Sequence, residues 1–325
     1  MTSGRVLIVC PPVVTGGPEL LHQLGRELRD LGHDASMCYY PFSKAHKTPE
    51  PYVPYGVPQG TFADEKDATV IVPEVFTSLT QKINRASVTI WWLSVDYYYG
   101  RKGESDWMDL YRRYKTLIAT RAPLHRLRHY RHFAQSYYAH DFLRGHGIES
   151  LMLSDYINPL YTEDEGLSGT KENLIAFNPR KGKSITRKII ASHKELEFVP
   201  IENMNVLQVR KLLQKAKIYM DFGSHPGKDR LPRESAMCGC CVITGTRGAA
   251  GNAVDVPIPT GFKLSHTSKD FHEQFGSLVE SIFLDYDGCA RLYDGYRRMI
   301  GRERAIFQEQ VRGIFGGPRN APPSA

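Results

Sequence analysis

Asp221–Gly245 reads Asp-Phe-Gly-Ser-His-Pro-Gly-Lys-Asp-Arg-Leu-Pro-Arg-Glu-Ser-Ala-Met-Cys-Gly-Cys-Cys-Val-Ile-Thr-Gly. The apolar run Ile218–Phe222 that enters it has a buried-strand pattern, Pro232–Met237 reads as a short helix, and Cys241–Thr244 as a second strand. The loop between strand and helix holds Gly223, Gly227, Lys228 and Arg230. Glycines let a backbone approach a ligand closely, and N–H groups at a helix start attract an anion. Lys228 and Arg230 are placed to neutralise a diphosphate. Glu234, inside the helix beside the loop, is placed to hydrogen-bond a ribose diol, and His225 to contact a transferring sugar or leaving phosphate. Packing alone gives no reason for glycines and cations to gather here.

Outward from this block the same chemistry recurs. Thr246-Arg247-Gly248-Ala249-Ala250 forms another loop after the second strand, adding Arg247 and Gly248 to the donor side. Upstream, Asn178-Pro179-Arg180-Lys181-Gly182-Lys183 follows the strand Leu174–Asn178. Arg180, Lys181 and Lys183 at a strand's carboxyl end suit a diphosphate, with a solvated loop as the plain alternative. Helices over Ser184–His193 and Val206–Lys215 and a strand over Phe198–Ile201 complete the alternation in this half.

The first half alternates in the same way. Strands are expected over Val6–Cys10, Ala35–Tyr40, Ala68–Val72, Val88–Leu93, Thr116–Thr120 and Phe133–Ser136. Helices are expected over Glu19–Leu31, Leu110–Tyr114 and Ala139–Leu143. Asp164–Thr170, polar and glycine-rich, reads as a linker. Strands alternating with helices mean parallel sheets with right-handed crossovers. The expected architecture is therefore α/β, with two Rossmann-like domains, 1–163 and 171–300, facing each other across a cleft. Residues 271–313 read as helical, a C-terminal helix is set at 301–315, and a disordered tail follows at 316–325.

Three features of the first half bear on chemistry. Pro11–Glu19 turns from the first strand into the first helix, and Gly16 and Gly17 let the backbone pass close to a ligand, with a plain strand–helix turn as the alternative; Pro18 suits the first helical position. The run Trp91-Trp92-Leu93-Ser94-Val95-Asp96-Tyr97-Tyr98-Tyr99 ends an apolar strand in aromatic and polar groups. Ligands of open parallel sheets bind at such strand ends, so Ser94 would line an acceptor and Asp96 would bind a hydroxyl or take its proton. An aromatic core edge capped by Asp96 is the competing account.

The third feature is Arg101–His132, where Arg101, Lys102, Arg112, Arg113, Lys115, Arg121, Arg126, Arg128 and Arg131 face only Glu104, Asp106 and Asp109. Such a surface attracts an anionic membrane, or it is simply a solvated face. His125, His129 and His132 are interleaved with arginines, which argues against a metal, and none is assigned.

The whole chain of 325 residues has 42 Lys plus Arg, 35 Asp plus Glu and a net charge of +7. This is modest for a nucleic-acid binder and compatible with a phosphate-bearing partner. No run of about 18 apolar residues occurs, and Val6–Cys10 is too short for a signal-peptide core, so a cytoplasmic protein is expected, with peripheral attachment to the inner membrane face as an extension. Among the cysteines Cys10, Cys38, Cys238, Cys240, Cys241 and Cys289, Cys238 and Cys241 stand at C-x-x-C spacing, but Cys-Gly-Cys-Cys is poorly suited to present tetrahedral ligands, no matching His pair follows, and all six read as buried thiols. Neither G-x-G-x-x-G nor a Walker A sequence is present.

Gly16-Gly17-Pro18-Glu19-Leu20-Leu21 and Leu231-Pro232-Arg233-Glu234-Ser235-Ala236-Met237-Cys238-Gly239-Cys240-Cys241-Val242-Ile243 together resemble the GT-B glycosyltransferases of the family 4-like kind. The resemblance implies a metal-independent transferase without cofactor, whose nucleotide-sugar donor is a substrate. It implies that Glu234 binds the nucleotide ribose and that Arg180, with Lys181 or Lys183, binds the diphosphate. The family's other glutamate, eight residues before the one matched by Glu234, is Pro226 here, so the stereochemical outcome stays open. The stretch His225–Arg230 is similar to a subgroup from bacterial surface-polysaccharide clusters. The implied reaction moves a sugar to a glycan or lipid-linked acceptor. A nucleotide-sugar epimerase, an inactive homologue serving as a binding subunit, and a nucleic-acid-binding protein remain as alternatives.

Overall fold

The computed structural model describes residues 4–100, 119–162 and 170–316. The expected helix Leu110–Tyr114, most of the linker Asp164–Thr170, the tail and the first part of the basic stretch lie outside these residues. Two compact units are present. Among the described residues, the first takes 4–100, 119–156 and 304–316, and the second 157–162 and 170–303.

The first unit carries strands β1 (Val6–Cys10), β2 (Ala35–Tyr39), β3 (Thr69–Pro73), β4 (Ser87–Trp92), β5 (Arg131–Ala134) and β6 (Leu151–Met152). They form one sheet in the order β2-β1-β3-β4-β5-β6, with every pairing parallel. Continuous apolar strands such as Val6–Cys10 are buried along their whole length, as a sheet covered on both faces requires. Its first two helices are α1 (Gly16–Asp30) and α2 (Val95–Tyr98). Leu20, Leu21, Leu24 and Leu28 recur on one face of α1 and are buried, each contributing on the order of 1.5–3 kcal/mol. A third helix, α3 (Tyr137–Gly145), is capped by the Ser136 hydroxyl, which accepts from Ala139 N–H.

The helix α1 begins at Gly16, earlier than the Glu19 start expected from its apolar period. Pro18 is therefore its third residue, where its missing N–H still has no intrahelical partner to lose. Ala119 and Thr120, expected as part of a strand, are helical.

The second unit carries β7 (Glu172–Phe177), β8 (Glu197–Pro200), β9 (Ala216–Asp221) and β10 (Cys241–Thr244), ordered β10-β9-β7-β8 and again all parallel. Its helices are α4 (Lys183–Ser192), α5 (Val206–Lys215), α6 (Arg230–Met237), α7 (Phe271–Leu284), α8 (Tyr286–Arg291) and α9 (Asp294–Gly301). At the start of α5, the Asn205 side chain accepts from Gln208 N–H and the Gln208 side chain from Asn205 N–H, a reciprocal cap. Helix α10 (Glu303–Phe315) follows. The single helical stretch expected over 271–313 is thus four helices, broken first where Asp285 leaves helical geometry (φ −129°, ψ 68°) and caps α8.

From Arg304 onward α10 belongs to the first unit. Phe307 and Val311 share a core with Leu24, Leu28 and Trp91, and Gln308 Nε2 donates to Glu27 Oε1 at 3.0 Å. All six cysteines are free thiols, and all but Cys289 are buried. No helix of the described residues is long and apolar enough to cross a membrane.

Candidate functional site

The loops that follow β7, β9 and β10 leave the carboxyl ends of three adjacent parallel strands, the edge where α/β sheets bind ligands. Two left-handed glycines bring these loops together. Gly182, at φ 56°, caps α4, and a Cβ there would lie 2.6 Å from the Phe222 carbonyl carbon. Gly248, at φ 67°, presses on the His225 carbonyl, and its loop pairs with the β9 loop through Ala249 N–H donating to His225 O at 2.8 Å. Any side chain at either position would force the loops apart.

Residues expected at the donor site, other than His225, divide into two groups. Arg180, Lys183 and Arg247 are exposed on the three-loop edge. The Arg247 guanidinium also donates to Phe222 O at 2.6 Å, tying the β10 loop to the β9 loop. Lys181, Lys228 and Arg230, by contrast, are engaged with carboxylates. Lys181 binds Asp229. Lys228 Nζ lies 3.0 Å from Glu303 Oε1, with both side chains buried. Arg230 lies 3.2 Å from Glu234 Oε1, one helical turn along α6, and holds that carboxylate near the helix start. Lys228 was expected to face a diphosphate; the structure turns it inward because a buried carboxylate needs charge compensation.

Arg233 completes that buried arrangement. Its side chain is fully buried, Nη1 donates to Glu303 Oε2 at 2.6 Å, and Nε and Nη2 donate to the carbonyls of Asp229 and Lys228. Arg233 thus braces the loop from beneath.

His225 is also buried, its side chain 1% exposed. Nε2 lies 3.6 Å from Asp221 Oδ1 and Nδ1 3.1 Å from Asp229 Oδ2. Burial would lower its pKa, but the charges of Asp221 and Asp229 outweigh burial and raise it. Burial would likewise raise Asp221, yet the His225 and Lys181 charges and the Gly223 N–H hold it well below the usual carboxylate range. Expected as a sugar contact, His225 is instead enclosed between acids. Asp221, His225 and Asp229 are the group among the described residues whose donor atoms, within 4.8 Å of one another, match a metal-ligand set. The Lys181 ammonium rests on Asp229 and already supplies positive charge there.

In the first unit, Gly16 and Gly17 form the opening turn of α1, behind Thr15, whose N–H and C=O both bond the Tyr52 hydroxyl. Ser94 precedes α2. Asp96 is 5% exposed and accepts from the Tyr138 hydroxyl at 3.0 Å. Trp91 and Trp92 are fully buried, and their indole N–H groups donate to Leu153 O and His132 Nδ1. They are core side chains, unable to stack on a sugar. Burial lowers the His132 pKa, consistent with a neutral ring accepting from Trp92. His125, Arg126, Arg128, His129 and Arg131 remain on the surface.

Sequence reasoning did not single out Glu74, Asp221, Asp229 or Glu303. Glu74 is buried at the carboxyl end of β3, accepts from Leu93 N–H at 2.9 Å, and is pushed up by burial to about 7. Asp221 and Asp229 carried a visible signal, each four residues from His225. A cavity of about 340 Å³, lined by Lys171, Cys238, Tyr286, Arg291 and Arg297, lies at the other end of the second sheet, beside the amino ends of β7 and β10.

No protein-family model and no curated protein matches this sequence. Solved structures do. A glycosyltransferase from Rickettsia africae ESF-5 superposes with a TM-score of 0.66 at 14% identity, over 97% of this chain and 98% of that one. HepE from Anabaena, solved with UDP and glucose, gives 0.62 at 10% identity, over 96% of this chain and 99% of that one. WaaG, a glycosyltransferase involved in lipopolysaccharide biosynthesis, gives 0.56 at 13%, over 96% of this chain and 100% of that one. At these identities the likeness is one of architecture: the chain has the GT-B fold, with an all-parallel Rossmann-like sheet in each unit.

Proposed function

We propose that the protein transfers a sugar from a nucleoside diphosphate donor to a hydroxyl of a glycan or lipid-linked acceptor, in the assembly of a bacterial surface polysaccharide. The observation that carries this reading is the three-loop edge of the second unit. There two left-handed glycines pack loops bearing Arg180, Lys183 and Arg247 around the start of α6, which carries Glu234. The UDP and glucose bound to HepE and the lipopolysaccharide role of WaaG support the donor class and the pathway.

In the reaction the bond from the sugar's anomeric carbon to the diphosphate oxygen breaks. The acceptor oxygen bonds to that carbon and its proton leaves. Negative charge grows on the diphosphate, so fixed cations and helix-start N–H groups aimed at it lower the barrier. Arg180, Lys183 and Arg247, with the first turn of α4, fill this role. Glu234, oriented by Arg230, takes the ribose hydroxyls. Asp96 and Ser94 are assigned to the acceptor side, Asp96 as the base should the reaction invert. The exposed His125, Arg126, Arg128 and Arg131 suit an anionic membrane surface, and liposome sedimentation tests that part.

Calorimetry with UDP, GDP and ADP on the wild type, Glu234→Ala and Arg180→Ala tests the donor site. Both variants should bind at least about tenfold more weakly, roughly 1.4 kcal/mol. Unchanged affinity in both would remove the assignment. Donor turnover without any acceptor would point to an epimerase instead.

A further inference from the structure

Asp221, His225 and Asp229 meet where the β9 loop leaves the donor edge. Asp221 ends β9, His225 lies within the loop, and Asp229 stands at the N-cap of α6. The His225 side chain is 1% exposed, yet neither ring nitrogen has a hydrogen-bond partner. Nδ1 lies 3.1 Å from Asp229 Oδ2 and Nε2 lies 3.6 Å from Asp221 Oδ1, and neither approach has hydrogen-bond geometry. Buried polar groups without partners are rare, and they ask for an ion, a water or a chemical role.

The chemistry of the donor atoms narrows the choice. With one atom taken per residue, a ring nitrogen and two carboxylate oxygens lie within 4.8 Å of one another. Ligands about 2.1 Å from a shared ion stand roughly 3.0–3.5 Å apart, so a small side-chain movement brings all three onto one ion. Asp229 is the member placed to move, because its side chain is 19% exposed and held by the flexible Lys181. Asp221 is fixed by the Gly223 N–H at 2.8 Å and the Tyr219 hydroxyl at 3.2 Å, and its oxygens keep lone pairs to give. One imidazole with two carboxylates suits a first-row divalent cation such as Mn²⁺ or Zn²⁺, whereas Ca²⁺ and Mg²⁺ favour oxygen alone. Charge points the same way. A ligating ring is neutral, and an ion displaces any proton held between the acids. Two carboxylates then face the single Lys181 ammonium. A divalent ion turns that deficit of one charge into an excess of one, which a bound diphosphate offsets.

We propose that Asp221, His225 and Asp229 bind a first-row divalent cation at the donor edge, and that the diphosphate of the donor completes its coordination. The cation's binding stands on these three residues alone, whereas its role toward the donor rests on the donor-site reading above. Such an ion departs from the metal-independent reaction that the resemblance to family 4-like enzymes implies.

The site is tested on the full chain without tag or nucleotide, by electron paramagnetic resonance for Mn²⁺, whose free-ion signal fades on binding, and by equilibrium dialysis for Zn²⁺. The wild type should take up one ion per chain, and His225→Gln and Asp229→Asn should bind at least about tenfold more weakly. Lys181→Met should bind more tightly than the wild type, because Asp229 is released to the ion; a folding defect cannot produce such a gain. A wild type that takes up neither ion, or ligand variants that bind as well as it does, overturns the site. Calorimetry with UDP, in Mn²⁺ and in EDTA, then tests the role. EDTA should weaken wild-type binding at least about tenfold and leave the already weak binding of Asp229→Asn unchanged. UDP binding indifferent to Mn²⁺, in a wild type that binds the ion, overturns the role and leaves the site standing. A wild type that binds Mn²⁺ but none of UDP, GDP and ADP overturns the donor reading instead.

Discussion

Lys228 and Glu303 form a buried ion pair at 3.0 Å, and Arg233 binds the other oxygen of the same carboxylate at 2.6 Å. One acid therefore anchors Lys228, a loop cation that the sequence presents as ligand-facing, together with Arg233 of α6. Removing it as Glu303→Ala would take away the carboxylate that balances the charge of both buried cations, at a cost of about 3–5 kcal/mol. Urea denaturation at pH 7 reads this as a lower midpoint. A loss under about 1 kcal/mol would show that the triad does not hold the loop.

Gly248→Ala combines a strained backbone at φ 67° with a clash against the His225 carbonyl. It should cost about 1–3 kcal/mol and weaken nucleotide binding as well. A variant with unchanged thermal stability and unchanged nucleotide affinity would refute the close packing of the β9 and β10 loops.

Glu74 gives a pH signature from the first unit. Its pKa is raised from 4.5 to about 7 by burial, against the pull of the Leu93 N–H. The folded state thus binds a proton more tightly than the unfolded chain. This stabilises the fold fully below pH 4.5, and the contribution is lost as the pH rises through about 7. Glu74→Gln keeps the acceptor and removes the titration. Stability measured from pH 5 to 9 should fall less for this variant than for the wild type, and parallel curves would contradict the assignment.

Lys171 donates to the carbonyls of Leu213, Ala216 and Cys238, at 2.9, 2.8 and 2.7 Å. These carbonyls lie at the ends of α5 and α6, where helices leave acceptors unpaired. Lys171→Met should cost at least about 2 kcal/mol by thermal or urea unfolding, while nucleotide affinity stays as it was. Loss of nucleotide binding at full stability would be the contrary result.

Local signals made much of the fold readable. Val206–Lys215 and Cys241–Thr244 stand where the apolar period put them, because each lies between strong stops. The start of α1 was missed because glycines hide a helical first turn, and the long C-terminal helix broke where Asp285 prefers to cap. In the site, the glycine loops and Glu234 were visible as a pattern. The destination of each charge was not. Arg233 and Glu303 are 70 residues apart, and nothing local tells a buried cation from one that meets a ligand.

Because Phe307 and Val311 belong to the core of the first unit, that core is completed late in biosynthesis. A ribosome reaches them only after it has synthesised the entire second unit. The half of the protein made first therefore waits longest for its final core residues, and a recombinant fragment stopping at residue 156 would carry an unfilled groove beside α1.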